Sequence, residues 1–123
     1  MKNLNIIMIS READYFKDFT AALADKDYLH ITCVTASEDV LEAVAGKGVD
    51  IVAAAEVVAD GSGLDLIKQV VMKDAFINTA LVSPLSAKDF HEVTEGLGVF
   101  LQISPSPGRE DAEKFCGLLA KIY

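Results

Sequence analysis

The chain has 123 residues, 51% hydrophobic and 24% charged, with a net charge of −8. That length suits one domain, expected to run over 1–123 and to bury roughly two-thirds of its unfolded surface. The acidic balance lacks the cationic footprint that nucleic-acid binding needs, and it argues equally against an anionic membrane surface.

Apolar runs alternate with helical patterns along the chain. LNIIMIS (4–10) predicts a first strand, and DYFKDFTAALA (14–24) a helix with Phe16, Phe19 and Leu23 on one face. LHITCVTA (29–36) is β-branched and strand-like. Ser37 suits an N-cap for a second helix lined by Val40, Leu41 and Val44, and GKG (46–48) reads as its stop. VDIVAAA (49–55) is apolar on both faces, as a central parallel strand should be. After the loop EVVADGSG (56–63), Leu64, Leu66, Ile67, Val70 and Val71 mark a third helix. NTALVS (78–83) is a fourth strand, and Ser86 with Asp89 resembles a capping box before a helix carrying Phe90, Val93 and Leu97. VFLQIS (99–104) is a fifth strand. Ser106-Pro107 suits the start of a last helix with Ala112, Phe115, Cys116, Leu119 and Ile122 inward.

Five strand–helix units imply parallel strands joined by right-handed crossovers. The expected fold is α/β: a flavodoxin-like, doubly wound (βα)5 three-layer sandwich with a five-stranded parallel sheet of order 2-1-3-4-5. Ligands and chemistry in such sheets gather at the carboxyl ends of the strands, at the switch point between strands 1 and 3. The loops meeting there are SREAD (10–14) and EVVADGSG, with Ser83 and Ser104 nearby. Yet strand 3 ends in Ala53-Ala54-Ala55, which supplies no nucleophile, base or ligand.

The opening apolar run, Ile6 to Ile9, is too short for a signal-peptide core or a membrane span, so a cytoplasmic location is expected. Cys33 and Cys116 show no metal or redox spacing and read as two buried free thiols. His30 and His91 read as solvent-facing.

Asp50, the apolar strand after it, Gly63-Leu64, the Ser83 region and Ser104-Pro105 together make the whole chain resemble the receiver domain of bacterial response regulators (the CheY-like superfamily). The resemblance implies phosphoryl transfer from a histidine kinase to an aspartate at the end of strand 3. An acidic pair after strand 1 would hold Mg²⁺, a Ser or Thr would end strand 4, and a Lys would precede a proline after strand 5. A carboxylate attacks phosphorus only when the developing charge is neutralised, which explains the cation and the ammonium group.

Most of those parts are replaced here. The match puts Ala55 at the phosphoacceptor position. Ser10 and Arg11 fall at the acidic pair, leaving Glu12 as the nearby carboxylate. Ser104 stands where the Lys belongs, with Pro105 kept behind it, and Ser83 retains the hydroxyl. By the same resemblance the Ser104–Pro105 peptide is expected to be cis. The aromatic switch position falls on Leu101, with Phe100 beside it.

Arg11 either takes the cation's place among Glu12, Glu56 and Asp60 or points into solvent. Period-two alternation turns Glu56 to the face opposite Ala55, favouring a solvated or Arg-paired carboxylate over a phospho-aspartate mimic. Asp60 reads as a turn residue before Gly61, and Ser83 as a satisfied strand-end serine rather than a switch.

The sequence therefore reads as a degenerate receiver, a pseudo-receiver, without aspartyl phosphorylation or enzymatic activity, requiring no cofactor and binding Mg²⁺ feebly. It would act in two-component or phosphorelay signalling by protein–protein contact. The resemblance puts the partner surface on Lys88, His91, Glu92, Glu95, Phe100 and Lys114, and a homodimer is left open. Two alternatives stand beside it: a phospho-accepting receiver using Asp60 or another carboxylate, and a small-ligand-binding α/β domain. Against the last, no GxGxxG, P-loop, nucleophile elbow or metal-ligand cluster is present.

Overall fold

A computed structural model describes residues 2–123. Its elements in chain order are β1 (Leu4–Ile9), α1 (Lys17–Ala22), β2 (Leu29–Val34), α2 (Ser37–Ala45), β3 (Ile51–Ala54), β4 (Val57–Val58) and β5 (Gly61–Ser62). Then follow α3 (Gly63–Lys73), β6 (Asn78–Val82), α4 (Ala87–Thr94), β7 (Val99–Ile103) and α5 (Arg109–Ile122). Five strands form one sheet of order β2-β1-β3-β6-β7, every pair parallel. With β4 and β5 set aside as a small antiparallel hairpin, this is the expected doubly wound 2-1-3-4-5 sheet.

Side-chain alternation along the strands divides the interior into two cores. Ile6, Met8, Ile51 and Ala53 face the layer of α1 and α5, where Phe16, Phe19, Phe115 and Leu119 are buried. Ile7, Ile9, Val52 and Ala54 face Val40, Val44, Leu66, Ile67 and Val70 from α2 and α3, with Phe90 from α4. The first core is held by aromatic edges: Phe16–Phe19 and Phe19–Phe115 centroids lie 6.0 and 5.4 Å apart in T-shaped pairs. Such pairs add about 0.5–1.5 kcal/mol each beyond area burial.

Gly63, at the start of α3, sits so close to the end of β3 that a Cβ on it would fall 1.9 Å from the Ala55 carbonyl oxygen. Its N–H donates to the Glu56 carbonyl at 2.9 Å. Helix α3 is thus seated on the strand end by backbone contact, which only glycine permits.

Several local expectations are corrected. Helix α2 is preceded by Ala36, and Ser37 is its first residue; the Ser37 hydroxyl donates to Asp60 Oδ1 at 2.7 Å instead of capping. Helix α5 starts at Arg109, not at Ser106-Pro107, because the Asp111 carboxylate accepts the Gly108 N–H at 3.3 Å and sets the boundary there. Ser86 accepts the Asp89 N–H at 3.2 Å, one half of a capping box. The stop after α2 uses Lys47, not a glycine, as its left-handed residue (φ 59°). Neither thiol is fully buried: Cys33 is exposed on edge strand β2 and Cys116 is half-buried on α5. No described helix is long and apolar enough to cross a membrane.

Candidate functional site

The end of β1 is tied to both of its neighbours, β3 and β2, before the loops diverge. The Ala55 N–H donates to the Ile9 carbonyl at 2.9 Å, and the Ser10 N–H donates to the Val34 carbonyl at 3.2 Å. The loops then frame a cavity of about 300 Å³ lined by Arg11, Glu12, Tyr15, Ala55, Glu56 and Val57. Ala55 is 4% exposed and belongs to the α1/α5 core.

Of the residues singled out after β1, Arg11 and Glu12 line this cavity, while Ser10 does not. Ser10 is buried, and its hydroxyl donates to the Glu12 carbonyl at 2.6 Å, folding the loop back on itself. Arg11 has no carboxylate within 4 Å among the described residues, so of the two dispositions considered for it, the ion-paired one is not formed.

Ala55 packs into the α1/α5 core, whereas Glu56 is exposed. It lines the same cavity and also a groove on the other side, between α3 and α4. β3 ends at Ala54 and the chain turns at once into the β4–β5 hairpin. Asp60, in that hairpin's turn, is drawn away from the cavity to α2, accepting from Ser37 at 2.7 Å.

Ser83, directly after β6, is buried, its hydroxyl accepting the Leu85 N–H at 3.2 Å. Gln102 fastens the same turn, its side-chain amide donating to the Ser83 and Leu85 carbonyls at 3.1 and 2.7 Å.

After β7 the chain is held by Asp111 of α5. Its carboxylate accepts the Ser104 N–H at 3.0 Å and the Ser104 hydroxyl at 2.6 Å. A hydroxyl has one proton to give, so this shorter bond prevails over the 3.2 Å approach of Ser104 Oγ to the Ser106 carbonyl. Burial acts to raise the Asp111 pKa, but the bonds from Ser104 and Gly108, with Lys114 nearby, hold it below the ordinary value. The Ser104–Pro105 peptide is trans, against the cis expectation. Trans is the lower-energy isomer of an X–Pro bond by about 0.5–1 kcal/mol, and the Asp111 clasp fixes this turn without the rarer form.

Tyr15 bridges the two loops. Its hydroxyl donates to the Pro105 carbonyl at 2.7 Å across 90 residues of sequence, and its ring lies edge-on to Phe16 at 5.1 Å. Burial, then the negative charges of Glu56 and Asp111, push the phenol above its ordinary pKa. Sequence reasoning missed both Tyr15 and Asp111. An acid three residues after Gly108 was a legible helix-start signal for Asp111, whereas nothing in the sequence tied Tyr15 to Pro105.

On the surface assigned by resemblance, Lys88, His91, Glu92 and Glu95 are exposed along α4 and its end. Lys114 lies 3.8 Å from Glu110, one turn away on α5. Phe100 is half-buried, its ring 5.7 Å from Phe115.

No protein-family model matches the sequence, and no curated protein is similar enough to match. Solved structures do match over nearly the full chain. A response regulator receiver domain protein (CheY-like) from Methanospirillum hungatei JF-1 superposes with a TM-score of 0.78 at 11% identity, covering 98% of this chain and 96% of that one. A chemotaxis response regulator of Vibrio cholerae gives 0.78 at 10% identity over 96% and 99%. A two-component response regulator from Clostridium difficile gives 0.77 at 13% over 97% of each. These three structural neighbours are response-regulator proteins. At such identities the likeness establishes the fold.

The cavity at the end of β3 does not fit Mg²⁺. That ion wants near-octahedral oxygen ligation, and the cavity offers two exposed carboxylates, a guanidinium and the Ala55 methyl. Among the described residues no group of three His, Cys, Asp or Glu is arranged to hold a metal.

Proposed function

We propose that this chain is a receiver-like signalling domain that works through protein–protein contact and is not phosphorylated on an aspartate at the end of β3. One observation carries the reading: the residue that lines the cavity directly after β3 is Ala55, whose side chain is a methyl group. A methyl group has no lone pair with which to attack phosphorus. The charge stabilisers that phosphoryl transfer needs are missing with it. Arg11 replaces a metal-binding acid, and the Ser104 hydroxyl is spent on Asp111 at 2.6 Å. The reading puts its partner among signalling proteins of the two-component type.

Asp60 is a poor substitute acceptor on this reading, because it lies outside the cavity and accepts from Ser37. The test is incubation of the chain with acetyl phosphate and Mg²⁺, followed by intact mass. The unmodified mass is expected. A stable gain of about 80 daltons, that of one phosphoryl group, would overturn the reading.

A further inference from the structure

Three exposed large hydrophobic side chains, Val57, Leu85 and Val93, gather around the loops after β3 and β6 and on the facing side of α4; their exposures are 48%, 41% and 42%. Leu85 and Val93 line a groove of about 220 Å³ together with Leu64, Leu81, Ser83 and Glu56. Val57 lines the adjoining Ala55 cavity, and Glu56 is the wall common to both.

Binding energy at protein interfaces concentrates in a few anchors that fill desolvated pockets, and rim charges contribute little. On the α4–β7–α5 face the described candidates are mainly charged, and Phe100 is packed against Phe115. The groove between α3 and α4 does present unpartnered apolar side chains. Its volume is below the roughly 300–1,000 Å³ of small-molecule sites, a size for one or two side chains and not for a cofactor.

Charge decides which side chains. Among the described residues, Glu56 is the one charged residue lining the groove. It has no Lys, Arg or His within 4 Å among the described residues, in a chain of net charge −8. An apolar floor beside an unneutralised carboxylate complements an aliphatic chain next to a cation.

Resting on the reading that this domain acts by protein contact, we propose that the groove docks a partner-protein segment. The segment inserts an aliphatic side chain between Leu64, Leu85 and Val93 and sets an adjacent lysine or arginine against Glu56.

The probes are n-butylguanidinium chloride, n-butanol and sodium butyrate, titrated separately at low salt while backbone amide ¹H–¹⁵N shifts are followed. Butylguanidinium is expected to give saturable shifts centred on Glu56, Val57, Ser83, Leu85 and Val93, butanol weaker ones at the same places, and butyrate none. Glu56→Gln should weaken butylguanidinium about threefold, the scale of an exposed ion pair, and leave butanol unchanged. The exposed double substitution Leu85→Ser, Val93→Ser should abolish binding of both while the remaining spectrum stays dispersed.

Equal binding of butyrate, shifts centred on Phe100 and Lys114, no saturable shift, or indifference to these substitutions would each overturn the proposal. A phosphoryl adduct on the wild-type chain would refute the absence of phosphorylation without touching the groove map. Failure of the map with no adduct would refute only this docking site.

Discussion

Replacing Gly63 by alanine tests how tightly α3 is seated on the end of β3. The added Cβ would lie 1.9 Å from the Ala55 carbonyl oxygen and 3.0 Å from both its carbonyl carbon and a Leu81 methyl. Cβ contacts essentially never fall under 3.0 Å, so the helix start and the strand end must separate by at least about 1.1 Å. The 2.9 Å bond from the Gly63 N–H to the Glu56 carbonyl is strained by the same movement. Two effects oppose each other. Helix propensity favours alanine over glycine by about 1 kcal/mol, while overpacking costs about 1–3 kcal/mol. Here the colliding oxygen is main chain and cannot rotate away, so the upper end of that range applies or is exceeded. We expect a net loss of about 2 kcal/mol, which for a domain of this size lowers the thermal midpoint by roughly 6–10 °C. Urea unfolding followed by circular dichroism should show a lower midpoint with an unchanged slope, since the surface exposed on unfolding is the same. An unchanged or higher midpoint would mean that α3 is not held against Ala55 as described.

Ala55→Asp alone should not restore phosphorylation, because Arg11 and Ser104 supply neither metal ligands nor an ammonium group. By analogy with oxyanion-hole deletions, each missing stabiliser costs about 3 kcal/mol in the transition state. An adduct with acetyl phosphate in the single mutant would refute this, whereas one appearing only after adding Ser10→Asp, Arg11→Asp and Ser104→Lys would support it. The depressed pKa of Asp111 makes its contribution pH-dependent. The native carboxyl binds protons less readily than the unfolded one, so the stabilisation is complete above the unfolded value near 3.9 and is lost as pH falls through the folded value. Asp111→Asn should therefore lose about 2 kcal/mol at pH 7, with the gap to wild type narrowing in acid; a gap that stays constant down to pH 3 (about one unit below the unfolded value) would contradict the clasp. Tyr15→Phe removes the 2.7 Å bond to the Pro105 carbonyl and should cost about 1 kcal/mol. Amide hydrogen exchange should quicken around Ser104–Gly108, and unaltered exchange there would show that Tyr15 does not tether the loop.

Periodicity along the chain was enough to read the order of strands and helices, because each segment carries its buried face locally. Ile6 and Met8 against Ile7 and Ile9 announce a strand buried on both sides, and Leu66, Ile67 and Val70 announce a helix face. Parallel strands with crossovers then leave few sheet orders, and the observed β2-β1-β3-β6-β7 is the one expected. Element ends were less legible: Ser37 and Ser106 are plausible caps by type, but Asp60 and Asp111, brought in by folding or by a competing local turn, took over those hydroxyls or boundaries. The chemical character of Ala55, Arg11 and Ser104 could be read from residue type alone. That Glu56 borders two cavities could not, because that depends on the loops packed around the end of β3. The Ser104–Asp111 clasp spans only seven residues, but the Tyr15–Pro105 bond and the groove shared by Leu64, Leu85, Val93 and Glu56 lie beyond any local signal. They join strand-end loops, or a loop and a helix, that only the closed sheet brings within reach.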